Sequence, residues 1–353
     1  MNNNNNNIPH CSSRQSNIEL LRCFAMVCII VYHMLCLTIV PLTPDVMLFK
    51  AVQIPLHIGV PLFFLISGYF GIRFSLRGLV RYVSKVYLYF VPLAVIVAYF
   101  VDHESLREIF RLFFVFGHDK HWYVNCYLYL FLFAPVINRY LDGISLKQRI
   151  YLLFILFFMS VYVGGMIMGD RYLVEGKNLT NVLMFYVLGN TIRQYQEKWK
   201  RLPMHQFVIA AILLNASLVF AYYNFSSLTI RIWNYSFPYN SPLIILNSIL
   251  VFIIFAKMSF TSKFVNWLSG GIFACYLWQC VPLLWKTFFA YPACKIYSGG
   301  ANSPILFLLG ASIYAFAVML VIVSVDKALN PLWNKLISIA ERYDKKWNVK
   351  DVR

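Results

Sequence analysis

Charge is what this chain has least of. Only 13% of its 353 residues are charged, and only 14 are acidic; soluble domains carry about 25% charged residues. Apolar residues reach 60%. Too few charges remain to cover a water-facing surface, which excludes a soluble enzyme, a disordered protein and a secreted disulfide scaffold. The sequence has no GxGxxG, no Walker loop and no Cys/His zinc spacing, so the usual nucleotide and zinc signatures are absent. It shows no internal repeat either, which weakens an inverted-repeat transporter. Of its eight cysteines, Cys23, Cys28, Cys36, Cys126, Cys275 and Cys280 lie within apolar runs. They read as buried small hydrophobes rather than a disulfide framework.

What is present is a series of long apolar stretches, and about twenty apolar residues cross a bilayer as a helix. The expectation is an all-α, polytopic transmembrane bundle of about ten spans: 18–37, 48–72, 82–100, 122–137, 150–168, 179–192, 207–223, 243–256, 264–284 and 305–325. Trp, Tyr and Pro gather at their ends, as interfacial belts require. With the N-terminus placed in the cytoplasm, 22 of the 31 Lys and Arg fall on the inner side and nine on the outer. The positive-inside rule therefore puts both termini in the cytoplasm. The net charge of +17 reflects this topology and an inner face attractive to anions, not nucleic-acid binding. Residues 1–17, with six consecutive Asn, read as a disordered tail without a cleavable signal peptide. Residues 18–328 form the membrane domain. In 329–353, Leu332, Trp333, Leu336, Ile337 and Ala340 share one helical face after Pro331, as in an amphipathic helix lying on the inner surface with a basic tail.

The first span carries unusual cargo. Arg22 stands one turn inside it and His33 beyond its middle, each costing a few kcal/mol in lipid. Residues eleven apart differ by about 20° around a helix and by about 16 Å along it. The two therefore share a face and suggest a polar cavity; Glu19, three residues before Arg22, can pair with it. The plainer alternative is a snorkelling Arg22 and an interhelical hydrogen bond at His33.

Glu19, Arg22 and His33, with Ala25 and Tyr32, resemble the opening signature of the type-3 integral-membrane acyltransferases: an acidic residue, then Arg, then His eleven positions later. Phe63-Phe64-Leu65-Ile66-Ser67-Gly68-Tyr69 is similar to the family's Phe-Phe-x-x-Ser-Gly-aromatic stretch. His121-Trp122-Tyr123 followed by Ala134-Pro135, and Leu268-Ser269 followed by Phe273-Ala274-Cys275-Tyr276-Leu277, match in the same order. Two departures stand out. The family's paired Arg before the third helix reads Arg81 and Lys85 here, with Arg73 and Arg77 as alternatives. Its Tyr-Leu-x-His reads Tyr276-Leu277-Trp278-Gln279, so no proton-transfer role falls on Gln279, which can still hydrogen-bond an acceptor or His33.

The resemblance implies transfer of an acyl group, usually acetyl from acetyl-CoA, to a hydroxyl of a carbohydrate or lipid-linked sugar, in a multi-pass protein of a bacterial inner membrane. Acyl-CoA is the cosubstrate; no tightly bound cofactor is expected. Its phosphates need Arg or Lys partners, for which Arg22, Arg81, Lys85 and Arg77 are the candidates. His33 is assigned as general base in direct transfer, with a covalent acyl-His as the less favoured route. Ser67, Tyr123, Asn125 and Gln279 are unranked donors for the oxyanion. Ser67 is alternatively a nucleophile, but its Gly68 neighbour and the missing Asp–His pairing favour a close-packing position. Trp122 and Tyr123 are either belt aromatics or a wall for sugar or donor. His118 and His121 lack a third ligand beyond Asp119, so no metal is expected. Competing classes are a transporter or lipid-linked-sugar flippase, whose mark would be broken helices in corresponding places of two halves, and a membrane sensor that has lost catalysis.

Overall fold

The computed structural model describes residues 14–101, 103–116, 121–166, 174–233, 237–300 and 303–344. The Asn-rich tract, His118 and the basic tail 345–353 lie outside the described residues. The fold is all-helical, at 84% helix, with no strand among the described residues. In chain order the helices are α1 (Ser16–Met34), α2 (Val46–Gln53), α3 (Gly59–Phe70), α4 (Leu76–Phe100), α5 (Leu106–Arg111), α6 (Trp122–Gly143), α7 (Leu146–Phe157), α8 (Leu179–Gln194) and α9 (Gln196–Lys200). There follow α10 (Met204–Trp233), α11 (Pro242–Lys257), α12 (Lys263–Ser269), α13 (Ile272–Cys280), α14 (Pro282–Trp285), α15 (Tyr291–Ser298), α16 (Pro304–Ala328) and α17 (Asn330–Asp344).

Short polar side chains set several starts. Ser75, Ser105, Asn178, Ser262 and Ser303 each accept a backbone N–H two or three residues into their helix, satisfying donors that the first turn leaves orphaned. Ser145 and Gln148 form a reciprocal capping box at α7. Pro242, Pro282 and Pro304 occupy early positions of α11, α14 and α16, where a missing N–H costs nothing.

Each of the ten apolar stretches is helical over most of its length, but among the described residues six helices are long and apolar enough to cross a membrane, or seven with one bent pair included. The stretches at 179–192 and 243–256 became α8 and α11, each 16 residues. At 1.5 Å per residue these are about 24 Å long, short of a hydrocarbon core of about 30 Å. The stretch 48–72 falls on one candidate span, Val46–Phe70, within which a 3₁₀ segment, Ile54–Ile58, joins α2 to α3. The stretch 264–284, expected as one span, is broken. It bends by 99° between Lys263–Cys280 and Pro282–Ser298. Pro282 cannot donate to the ladder, and the residue before a proline is pushed out of the α region; Val281 has φ −95°, ψ 118°.

α1 packs against α3, α11, α12, α13 and α16. Beside it α3 and α8 meet with no side chain between them at two points. A Cβ on Gly68 would stand 1.9 Å from the Tyr186 carbonyl oxygen, and one on Gly189 would stand 2.1 Å from the Leu65 carbonyl oxygen. The outer helices show the reverse pattern. Only 11% of the apolar window in Met204–Phe225 and 17% of that in Leu146–Gly164 is buried, against 72% for Val46–Phe70. Ile212, Leu213 and Phe220 on α10, and Tyr151 and Phe154 on α7, point outward. Such a surface suits lipid and not water. Polar side chains tie the bundle internally. Asn215 and Asn247 exchange two hydrogen bonds at 3.0 and 2.8 Å between α10 and α11. Buried Arg149 donates to Asn190 Oδ1 and the Leu141 carbonyl, both at 2.6 Å.

α17 is not merely laid on the surface. Trp333 and Ile337 are buried and Leu336 partly so, while Leu332 is exposed. The Trp333 ring packs 5.6 Å from that of Tyr89 on α4, and Asn330 and Asn334 reach the floor of a cavity.

Candidate active site

Because α1 is helical without interruption from Ser16 to Met34, it carries Arg22 and His33 on one face, about 16 Å apart along its axis. They do not share one cavity. Arg22 lines a cavity of about 550 Å³, together with Arg14, Arg81, Lys85 and Lys327. His33 lines another of about 790 Å³, with Trp122, Tyr239, Gln279 and Trp285. Ile29, Val60, Tyr123 and Tyr276 line both, so the two cavities adjoin at these four residues, called the neck below.

The first cavity is basic. Arg22 Nη1 donates to both Glu19 carboxylate oxygens, at 3.0 and 3.1 Å, and its guanidinium lies 6.0 Å from the Phe70 ring centroid. One-third of its side chain remains exposed, whereas Glu19 is buried. Glu19 thus orients the guanidinium and leaves its remaining N–H groups available. Lys85 has a buried partner: its Nζ reaches both Asp326 oxygens at 2.8 Å, and the Tyr89 hydroxyl donates to Asp326 Oδ1 at 2.9 Å. Among the described residues that line this cavity, five charged side chains are basic and Asp326 is the single acid.

The second cavity holds the imidazole. His33 Nδ1 lies 2.8 Å from Gln279 Oε1. Gln279 Nε2 donates to the Cys275 carbonyl at 2.9 Å, one turn back on α13. That second bond fixes the amide, because only the NH₂ group can face a carbonyl oxygen. Oε1 therefore faces His33, and since it can only accept, Nδ1 must carry the proton. Nε2 of His33 is left with the free lone pair. The arrangement is the orienting half of a nucleophile–base–orienter constellation, with an amide in the orienting place. The Trp285 ring stands edge-on to the imidazole at 6.2 Å. Trp285 is there because the chain bends at Pro282, so the broken helix furnishes the wall opposite α1. Irregular backbone at membrane depth is tolerated where it lines a cavity.

The pattern of the acyltransferase-3 family, described as an acyltransferase domain, matches residues 15–324. The chain belongs to that family. No curated protein and no solved structure gives a significant match. As a membrane acyltransferase, it places the residues anticipated from sequence as follows. Glu19, Arg22, Arg81, Lys85 and Ser67 gather at the basic cavity, Ser67 with its hydroxyl donating to the Phe63 carbonyl at 2.8 Å. His33, Trp122 and Gln279 gather at the other, and Tyr123 stands between. Arg77 is exposed on α4 and is not part of either lining. His121 lines the second cavity with its ring edge-on to Phe90 at 4.7 Å.

Three contributors escaped the sequence reading of this acyltransferase. Tyr239, from the loop before α11, closes on Trp122 at 5.8 Å between ring centroids. His57, in the 3₁₀ segment, donates from Nδ1 to the Phe237 carbonyl at 2.6 Å and sits between Tyr32 and Tyr239. Asp326 is 241 residues from Lys85. Only Asp326 gave a signal: an acid at the inner end of an apolar run is costly without a partner.

Proposed function

We propose that this membrane acyltransferase moves an acetyl group from cytosolic acetyl-CoA to a hydroxyl of a carbohydrate or lipid-linked sugar. The observation that carries the reading is the pair of cavities meeting at a neck on one face of α1, basic at the Arg22 end and holding the oriented His33 at the other. The reading takes all ten helical stretches as crossings, with both termini and the basic cavity on the cytosolic side of a bacterial inner membrane. The excess of Lys and Arg on that side supports it.

In this reading the donor's phosphates bind Arg22 and Arg81, with Arg14 and Lys327 adding positive potential and Lys85 held by Asp326. Charge-assisted bonds to phosphate are strong, and Arg offers a planar fork for them. The pantetheine arm extends through the neck, and the thioester arrives beside His33. The acceptor sugar occupies the larger cavity, where the rings of Trp122, Tyr239 and Trp285 offer flat apolar faces and Glu104 and Glu108 offer hydroxyl-binding carboxylates.

The chemistry is direct acyl transfer. His33 Nε2 takes the proton of the acceptor hydroxyl as its oxygen bonds to the thioester carbon. Gln279 holds the imidazolium by its other nitrogen. The tetrahedral intermediate then collapses with cleavage of the carbon–sulfur bond, and the proton passes from His33 to the departing CoA sulfur. Of the side chains considered for the oxyanion, Tyr123 is the one that lines both cavities. Ser67 and Gln279 each already donate to a backbone carbonyl. A transporter would show broken helices in both halves; one bent pair is present among the described residues.

The test uses inside-out membrane vesicles containing the protein and acetyl-labelled CoA added outside, which is the former cytosolic face. Label should pass to carbohydrate within the vesicle. Label transfer only from right-side-out vesicles would reverse the assignment of the two cavities.

A further inference from the structure

The neck is walled by two phenol rings and two aliphatic side chains, carries no charged side chain, and is firmly backed. The Tyr123 and Tyr276 rings pack at 4.9 Å between centroids, tilted by 51°. Tyr123 is braced by Phe64 at 5.1 Å. Tyr276 stacks on Phe273 at 6.3 Å, and Phe273 stacks on Tyr82 at 5.1 Å. Tyr82 is itself anchored by its hydroxyl to the Val124 carbonyl at 2.9 Å. On the aliphatic side, Ile29 and Val60 are held together by Gly59. A Cβ there would stand 2.7 Å from Ile29 Cγ1 and 2.8 Å from the Ala25 carbonyl oxygen. Ile29 is seven residues beyond Arg22, about 10 Å along α1, and four short of His33. An acyl group anchored through its CoA at Arg22 must pass Ile29 to reach the imidazole.

We propose that the Ile29–Val60–Tyr123–Tyr276 neck is the acyl-selecting filter of the enzyme, admitting a slim uncharged acyl group and rejecting carboxylate-bearing or branched ones. The inference rests on the reading of the two cavities given above. Three effects act together on an acyl group that ends in a carboxylate. The basic cavity holds it back at Arg22, Arg81 and Lys327. The neck gives it no cationic partner while it is stripped of water, and an unpaired charge in such surroundings is strongly disfavoured. Beyond the neck the charged lining is Glu104 and the Glu108–Arg111 ion pair at 2.6 Å, so the carboxylate meets one cation that is already taken and a net negative charge. A branched acyl group has no charge penalty, but it must displace braced rings or two closely held aliphatic side chains. Packed interiors resist that kind of insertion. Linear neutral acyl groups are no wider than the pantetheine arm that follows them, so the filter reads girth and charge and not length.

The experiment compares kcat/KM for acetyl-, propionyl-, isobutyryl- and succinyl-CoA in the full-length protein in membranes. Variants are Val60→Ala and, as a milder enlargement, Ile29→Val. Ratios within one variant cancel any loss of folded protein. For the wild type, propionyl should fall within about tenfold of acetyl, and isobutyryl and succinyl at least 100-fold below it. Val60→Ala should raise the isobutyryl-to-acetyl ratio at least tenfold and leave the succinyl-to-acetyl ratio nearly unchanged, because the enlarged neck still lacks a cation. Ile29→Val should move the isobutyryl ratio the same way by less. Wild-type use of succinyl-CoA on a par with acetyl-CoA, or an isobutyryl ratio unmoved in both variants, would overturn the filter while leaving the acyltransferase reading standing. No transfer from any of the four donors would overturn that reading and the filter with it.

Discussion

Gln279 gives the account its most exposed claim, because family resemblance expects His there and the geometry assigns the amide a definite task. Replacing it with Leu keeps the volume and removes the acceptor that holds His33 Nδ1–H at 2.8 Å. The Cys275 carbonyl loses one bond but, inside α13, retains its helical partner. A part-buried donor left without an acceptor costs about 1–3 kcal/mol. The imidazole can recover some of this by changing tautomer or rotating, and either change removes Nε2 as the base. If the whole cost falls on the transition state, turnover drops by about 5- to 150-fold. Acetyl transfer from labelled acetyl-CoA in membranes measures it, with donor affinity measured separately. The expected pattern is a fall in kcat with donor binding unchanged, since the proposed donor site at Arg22 and Arg81 lies in the other cavity. Gln279→Glu should retain orientation and, by favouring the imidazolium, move the rising limb of the pH–rate profile to higher pH. Turnover of Gln279→Leu within twofold of wild type, with an unmoved profile in Gln279→Glu, would refute the orienting role.

Arg22→Ala should weaken acetyl-CoA binding, and Arg22→Lys should restore it only in part because an ammonium lacks the planar fork; equilibrium binding of labelled CoA checks both. Lys85→Ala and Arg81→Ala should separate stability from affinity. Removing Lys85 strands Asp326, whose side chain is 2% exposed, and costs about 3 kcal/mol or more of stability, seen as a lower melting temperature in detergent. Arg81→Ala should leave melting unchanged and weaken donor binding. Gly68→Ala forces a methyl into a backbone contact of 1.9 Å and should destabilise the α3–α8 pair by about 1–3 kcal/mol or more, read by the same melting assay. Reporter fusions after Asp344 and within 103–116 should report opposite sides of the membrane.

The sequence made the helical, membrane-embedded class legible because apolar content and charge scarcity admit no other solution. It also made Glu19, Arg22 and His33 legible, since helical spacing alone puts them on one stripe and pairs the first two. It did not show that this stripe serves two cavities. That depends on Val60, Tyr123 and Tyr276, which arrive beside Ile29 from three other helices, and single-sequence spacing carries no trace of such meetings. The break at Pro282 had a local signal, a proline inside an apolar run, but the run's length outweighed it. The role of Gln279 was left open between His33 and another acceptor. The bond to Cys275 decides it, and that bond exists only once the helix places the amide. Lys85 reads as a donor ligand in the sequence because it stands, with Arg81, where the family resemblance has its paired Arg. Its partner Asp326 comes from the far end of the chain, so ion pairing and donor binding could not be told apart by position.

The central claim is that His33 is the general base at the end of a donor path that begins at Arg22. The most direct measurement is acetyl transfer by His33→Gln and His33→Ala alongside their affinity for acetyl-CoA. Both variants should fold and insert, bind donor as the wild type does, and lose about 10²–10⁴-fold in turnover. Glutamine can occupy the place and make a hydrogen bond, but it cannot accept the hydroxyl proton. Transfer by His33→Gln at close to the wild-type rate would contradict the account and return His33 to an interhelical hydrogen bond.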